Sequence, residues 1–123
     1  MIKPIIIIDE VYKADIFIIT QYTDKEIIKY FSKAYGVQYE IDNSFDAMHY
    51  SIEHKASGTI HHYLIFNKFK NSSAGIALLF HEVFHLVCAV FRDIGMKFSE
   101  DSEEAFTYYI QYLTKKILDK IIK

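Results

Sequence analysis

The chain has little of the residues that crosslink or interrupt a fold. Its 123 residues include one cysteine, one proline, four glycines and no tryptophan. A single cysteine excludes a disulfide framework within the chain. Scarce glycine and proline, with no low-complexity tract, leave no segment that reads as a linker. The length and composition therefore predict a single globular domain over residues 1–123.

The chain also lacks a strong excess of either charge, and it lacks long apolar runs. Lysine and arginine total 14 against 16 acidic residues, which gives a net charge of −2 and a pI near 6.3. A nucleic-acid binder would need a basic stripe, which this balance does not supply. No run reaches the ~18 apolar residues of a membrane span, and the apolar start is too short for a signal peptide. These features predict a cytoplasmic protein without nucleic-acid or membrane partners.

The hydrophobic patterns predict an α+β fold with a small sheet of about four strands. Strands are expected at residues 5–8, 14–20, 47–53 and 59–67, with a further short one at 37–41. Thr23 and Glu26 match a capping box, and Gly36 is a typical helix stop. Three helices are expected, over residues 24–35, from 73 to about 91 and over 102–122. We expect them to pack on one face of the sheet.

The segment His81-Glu82-Val83-Phe84-His85 lies inside the second of these helices. Its flanks, residues 77–80 and 86–91, are apolar around the helix circumference and predict a buried helix. His81 and His85 stand one turn apart, ~5–6 Å between Cβ atoms, so both imidazoles reach one Zn²⁺ at ~2.0–2.1 Å. Glu82 projects to one side and suits a general base. The alternative is a pair of core histidines satisfied by local hydrogen bonds.

After this segment come a short turn and a helix that opens with glutamate, and the whole resembles the zincin metallopeptidases with a glutamate ligand. Eighteen residues separate His85 from Glu104, as in the zinc aminopeptidase branch, and Glu104-Ala105-Phe106-Thr107-Tyr108 is similar to the run that carries their ligand. The chain also looks like short metallopeptidase-like proteins of phages and prophages. The resemblance covers about residues 81–112. It implies zinc held by His81, His85 and Glu104, with Glu82 catalytic.

Several of these roles have alternatives. Glu103 competes with Glu104 as third ligand, because it shares the helix stripe that is expected to face inward. Acids in a first helical turn also complement the helix dipole without binding anything. An oxyanion stabiliser is open among four residues: His49, His54, Tyr108 and Tyr112. Cys88 shares the histidine face but lies ~10 Å along the axis from His81, so we interpret it as a buried thiol.

The resemblance implies zinc-dependent hydrolysis of peptide bonds in a peptide or protein substrate. In that case Phe80 and Phe84 would form a dry wall, and the strand at residues 63–66 would pair with an extended peptide. The main alternative is a non-catalytic protein of zincin fold that uses zinc structurally or as part of a binding face. A chain of 123 residues leaves little material for a deep cleft, which favours this alternative. A third possibility is a regulatory or host-interaction protein without metal.

Overall fold

The structure, a computed structural model, describes residues 1–122 and confirms the α+β class. Its elements are β1 (Ile5–Ile8), β2 (Asp15–Ile19), α1 (Asp24–Tyr35), β3 (Ala47–His54), β4 (Thr59–Phe66), α2 (Ser73–Asp93) and α3 (Glu103–Ile121). The strands form one sheet in the order β1-β2-β4-β3. β2 and β4 are parallel, whereas the β1–β2 and β3–β4 pairs are antiparallel. β4 is therefore central, and β3 is an edge strand.

Local signals position both ends of α1 and the start of α2 as predicted. Thr23 Oγ1 accepts from the Glu26 N–H, the Glu26 carboxylate accepts from the Thr23 N–H, and Gly36 ends α1 at a φ of 68°. α2 begins after Ser72, whose hydroxyl accepts from the Gly75 N–H.

The strand expected at residues 37–41 is wrong. Buried Tyr39 instead stacks its ring on Phe31 of α1, with ring centroids 4.8 Å apart, without joining the sheet.

The helices cover both faces of the sheet, so the expectation that they share one face is wrong. Ile27 and Phe31 of α1 pack with Tyr63 and Ile65 of β4. On the other face, α2 and α3 form the larger core with Leu64 and further residues of the sheet. The physical reason lies in β4, where successive apolar residues point to opposite sides and are all buried, as in strands covered on both faces.

α2 is long and apolar enough to cross a membrane by length and composition, yet its contacts are those of a core helix. Leu79, Val83 and Leu86 are fully buried against the sheet and α3. The helix is less buried than its apolar flanks predict, because Phe80 is 54% and Phe84 41% exposed. The histidine pair consequently lies on an open side of the helix.

The connection from β1 to β2 is held by a buried carboxylate. Asp9 is 5% exposed. Its oxygens accept hydrogen bonds from the backbone N–H groups of Val11, Tyr12 and Ala14 and from the Tyr109 hydroxyl. The last of these bonds, 2.7 Å long, ties the connection to α3. Asp9 thus links two elements that are far apart in the sequence.

Replacing Asp9 is expected to destabilise the fold strongly. Asp9→Ala leaves three backbone donors and a buried hydroxyl without their acceptor, which should lower the free energy of unfolding by about 3 kcal/mol. Tyr109→Phe removes one of these bonds and should cost about 1 kcal/mol. Urea denaturation of both variants measures the difference. Equal losses in the two variants would contradict a role for the backbone hydrogen bonds.

Candidate metal centre and its cleft

The middle of α2 brings two imidazoles together. His81 Nε2 lies 3.2 Å from His85 Nε2, and the ring centroids are 4.9 Å apart. Two nitrogens that bind one tetrahedral zinc at 2.0–2.1 Å lie about 3.3 Å from each other. The same separation also suits an N–H···N hydrogen bond between two neutral rings. The separation of these two predicted ligands is thus compatible with a shared zinc and equally with a direct hydrogen bond.

Glu82 lies beside the histidines on the same helix. Its side chain is buried, with 6% exposed, and it forms no ion pair or hydrogen bond with another described residue. A buried carboxylate without a partner costs kcal/mol unless its oxygens reach water. The oxygens of Glu82 are not sealed from solvent, since the residue lines an open cleft. The Glu82 carboxylate therefore lies beside the histidines, largely buried and facing the cleft.

The cleft has a volume of about 870 Å³ and lies between α2, the start of β3 and the connection from α2 to α3. Its lining residues are Asp42, Phe45, Ala47, Met48, His49, His81, Glu82, His85, Cys88, Arg92, Gly95, Met96, Lys97, Phe98 and Phe106. β3 pairs only with β4 in the described part of the chain, so its other edge offers unpaired backbone groups. Histidines, carboxylate and strand edge thus lie together.

Two expectations about the cleft walls are wrong. Residues 63–66 cannot pair with a peptide, because β4 is hydrogen-bonded to β2 on one side and β3 on the other. Phe80 lines a second groove, between α2 and α3, and not the cleft. The apolar wall of the cleft comes from Phe45, Phe98 and Phe106. Sequence spacing missed these residues because they meet only through long-range packing.

The third ligand is not in place. Glu103 and Glu104 lie in the first turn of α3, are exposed, and do not line the cleft. Among residues 1–122, no group of three or more histidine, cysteine, aspartate or glutamate side chains is arranged to hold a metal ion. α2 continues eight residues beyond His85 to Asp93, about 12 Å of helix. α3 packs against α2 and begins only after this end, so its first turn lies well past the histidines. Their role as ligands stays a prediction.

Of the four residues considered for oxyanion stabilisation, only His49 lines the cleft. Tyr108 is 66% exposed and lies outside it. The Tyr112 hydroxyl accepts from the Glu10 N–H, and the His54 ring stacks on His61 at the β3–β4 hairpin. Cys88 lines the cleft but is half-buried, and burial raises the pKa of its thiol.

A buried histidine stands behind His49. His62 is 2% exposed, and its Nε2 lies 2.9 Å from Asp93 Oδ2 at the end of α2. Its Nδ1 lies 2.9 Å from Ser51 Oγ and 3.2 Å from His49 Nε2. If the His62 Nε2–H donates its hydrogen bond to Asp93, the unprotonated Nδ1 accepts one from Ser51 or His49. The network links the cleft wall to the end of α2. His62 faces α2, whereas His61 lies on the other face of the sheet, with its Nδ1 2.8 Å from the Tyr35 hydroxyl of α1.

Burial dominates the titration of this network. Burial, with smaller electrostatic contributions from His62, His85 and Arg92, lowers the pKa of His49 to about 4. Burial also lowers the pKa of His62, although the hydrogen bond to Asp93 opposes the shift. Both rings are therefore neutral in the folded protein near pH 7.

We expect the metal-free protein to lose stability as the pH falls below about 6.5. In the unfolded chain His49 has a pKa near 6.5, whereas in the folded chain its pKa is about 4. The neutral ring therefore contributes its full stabilisation above pH 6.5, and this contribution is lost as the pH falls from 6.5 to 4. His49 alone should account for about 2 kcal/mol between pH 7 and pH 5. Urea denaturation with chelator measures the change. A His49→Gln variant with an equally steep decline would contradict this assignment.

No protein-family model, curated protein or solved structure matches this chain. The functional assignment accordingly depends on the cleft and on the residues in it. The resemblance to zincins depends on the sequence motif at about residues 81–112 and stays a prediction.

Proposed function

We propose that this chain is a zinc-dependent peptidase that hydrolyses peptide bonds in a peptide or protein substrate. One arrangement carries the proposal: two Nε2 atoms 3.2 Å apart, beside a buried carboxylate without a partner, on the wall of an open cleft. Core histidines would more simply be sealed from solvent, whereas His81 and His85 are exposed. We place the activity in the cytoplasm, in line with the composition of the chain.

His81 and His85 would hold the metal, with Glu104 as third ligand by resemblance and Glu103 as the alternative. Catalytic zinc sites combine three protein ligands with an open position. Either glutamate must approach the histidines from the first turn of α3, so binding requires the connection between α2 and α3 to move. Imidazole nitrogens and a carboxylate oxygen are the donor set that zinc accepts in such sites.

The residues of the cleft divide the reaction among them. When bound, zinc supplies Lewis acidity toward the peptide carbonyl and the attacking water. Glu82 accepts a proton from that water and then donates it to the leaving nitrogen, which leaves the carboxylate regenerated. The free edge of β3 is suited to pair with an extended peptide and hold it along the cleft. Phe45, Phe98 and Phe106 exclude water from the bound segment.

The direct test combines metal analysis with digestion of a peptide library. We expect the purified protein to take up one equivalent of zinc, to cleave library peptides, to lose this activity with a chelator and to regain it with zinc. No zinc uptake would contradict the proposal. Zinc uptake without cleavage would favour the non-catalytic alternative, which is supported by the distance of Glu103 and Glu104 from the cleft.

A further inference from the structure

We propose that Arg92 and Lys97 form a carboxylate-binding subsite at one end of the cleft, so that the preferred substrate carries a negative charge a few residues from the scissile bond. The inference rests on the proposed peptidase function and adds a substrate class to it. Arg92 is the only arginine of the chain. It and Lys97 line the cleft together with the histidine pair.

Neither cation has an acidic partner within the described part of the chain. None of the ion pairs formed within residues 1–122 involves Arg92 or Lys97. The neighbouring Asp93 is hydrogen-bonded to His62. Asp42, also in the cleft, accepts from the Ser44 N–H, which lowers its pKa. With a net charge of −2, the chain has no overall excess of basic residues.

The position of Arg92 on α2 directs its side chain toward the cleft. It continues the α2 stripe of His81, His85 and Cys88, with spacings of four, three and four residues. The positive charge of Arg92 lowers the pKa of His49, His62 and Cys88. Its guanidinium group therefore lies on the side of α2 that faces β3. Arg92 lies in the last turn of α2 and so complements the helix dipole. That role leaves its fork of N–H donors free, and a carboxylate is the group that such a fork binds in two-point fashion.

The distance along the helix sets the position of the charge. Arg92 lies seven residues beyond His85, which corresponds to ~10 Å along the axis. An extended peptide advances ~3.3 Å per residue, so the charge is expected about three residues from the scissile bond. An acidic side chain and a free C-terminal carboxylate both present this chemistry.

Binding to a Glu82→Gln variant, loaded with zinc, separates recognition from turnover. Fluorescence anisotropy would compare labelled peptides that carry glutamate or glutamine at each position up to three residues from the centre, with a free or an amidated C-terminus. We expect about tenfold tighter binding for a carboxylate at one position, as for one charge-assisted pair. Adding Arg92→Gln should remove the preference, whereas Lys25→Gln, which removes a charge from α1 on the opposite face of the sheet, should retain it.

The two peptide arms identify the source of the carboxylate. Weaker binding after amidation assigns the C-terminus, and weaker binding after glutamate-to-glutamine exchange assigns a side chain; either result supports the subsite. Equal binding of charged and neutral peptides, or a preference that survives Arg92→Gln, overturns it even if the wild-type protein cleaves peptides. An Arg92-dependent preference without cleavage by the wild type would support the subsite and reject the peptidase function.

Discussion

Glu82→Gln is expected to lower peptide hydrolysis by about 10²- to 10⁴-fold, the contribution of a positioned general base. The amide has nearly the same size as the carboxylate but cannot accept the proton of the attacking water. The Glu82 carboxylate has no hydrogen-bonded or ion-paired partner among the described residues, so the exchange breaks no side-chain hydrogen bond within the fold. Zinc should be retained because both histidines are unchanged. The values of kcat/KM and the zinc content together measure the effect.

Glu53→Gln is the matched control for this variant. Glu53 is an exposed acid on β3 outside the residues that line the cleft, so its exchange removes one negative charge without touching the site. Wild-type turnover in Glu82→Gln would reject the proton-transfer role. Loss of zinc together with activity would instead make Glu82 a ligand.

His81→Asn and His85→Asn are each expected to weaken zinc binding by more than about 100-fold, because removing an outer partner of a ligand alone costs about 10- to 100-fold. The two Nε2 atoms are 3.2 Å apart, so either variant leaves the other imidazole without its partner in coordination. Competition with a chromophoric chelator measures the affinity. His54→Asn, at the β3–β4 hairpin, is the control and should bind zinc as the wild type does.

The same titration decides between the two glutamates. Glu104→Gln should weaken zinc binding while Glu103→Gln leaves it near the wild-type value. The reverse result would assign Glu103 as third ligand. If neither exchange changed the affinity, the ligand role inferred from the resemblance would be wrong for both, and the site would contain only the two histidines of α2.

Local signals in the sequence were sufficient for much of the fold. The Thr23–Glu26 capping box and Gly36 fix α1 because each acts through hydrogen bonds within a few residues. The interval 37–41 shows the limit of such patterns. Its alternation of apolar residues is that of a strand, but Tyr39 is buried by stacking on Phe31, a tertiary contact that no local pattern reports.

The site was predictable only in its helical part. The spacing of His81 and His85 dictates that the rings meet, since a helix fixes residues four apart. The other wall depends on β3 being an edge strand, and strand order follows from long-range pairing. Among the cleft residues that the sequence analysis missed, Arg92 could have been found from its spacing. It extends the α2 stripe of His81, His85 and Cys88 by one more turn. The place of Glu104 depends on how far α2 runs past His85, which the sequence leaves open.

X-ray absorption at the zinc edge, on protein loaded with one equivalent of metal, tests the central claim most directly. We expect two imidazole nitrogens at 2.0–2.1 Å together with oxygen ligands, and one imidazole fewer in His81→Asn. A sulfur ligand at about 2.3 Å would direct attention to Cys88. A spectrum without imidazole scattering would contradict metal binding by His81 and His85, and with it the peptidase proposal.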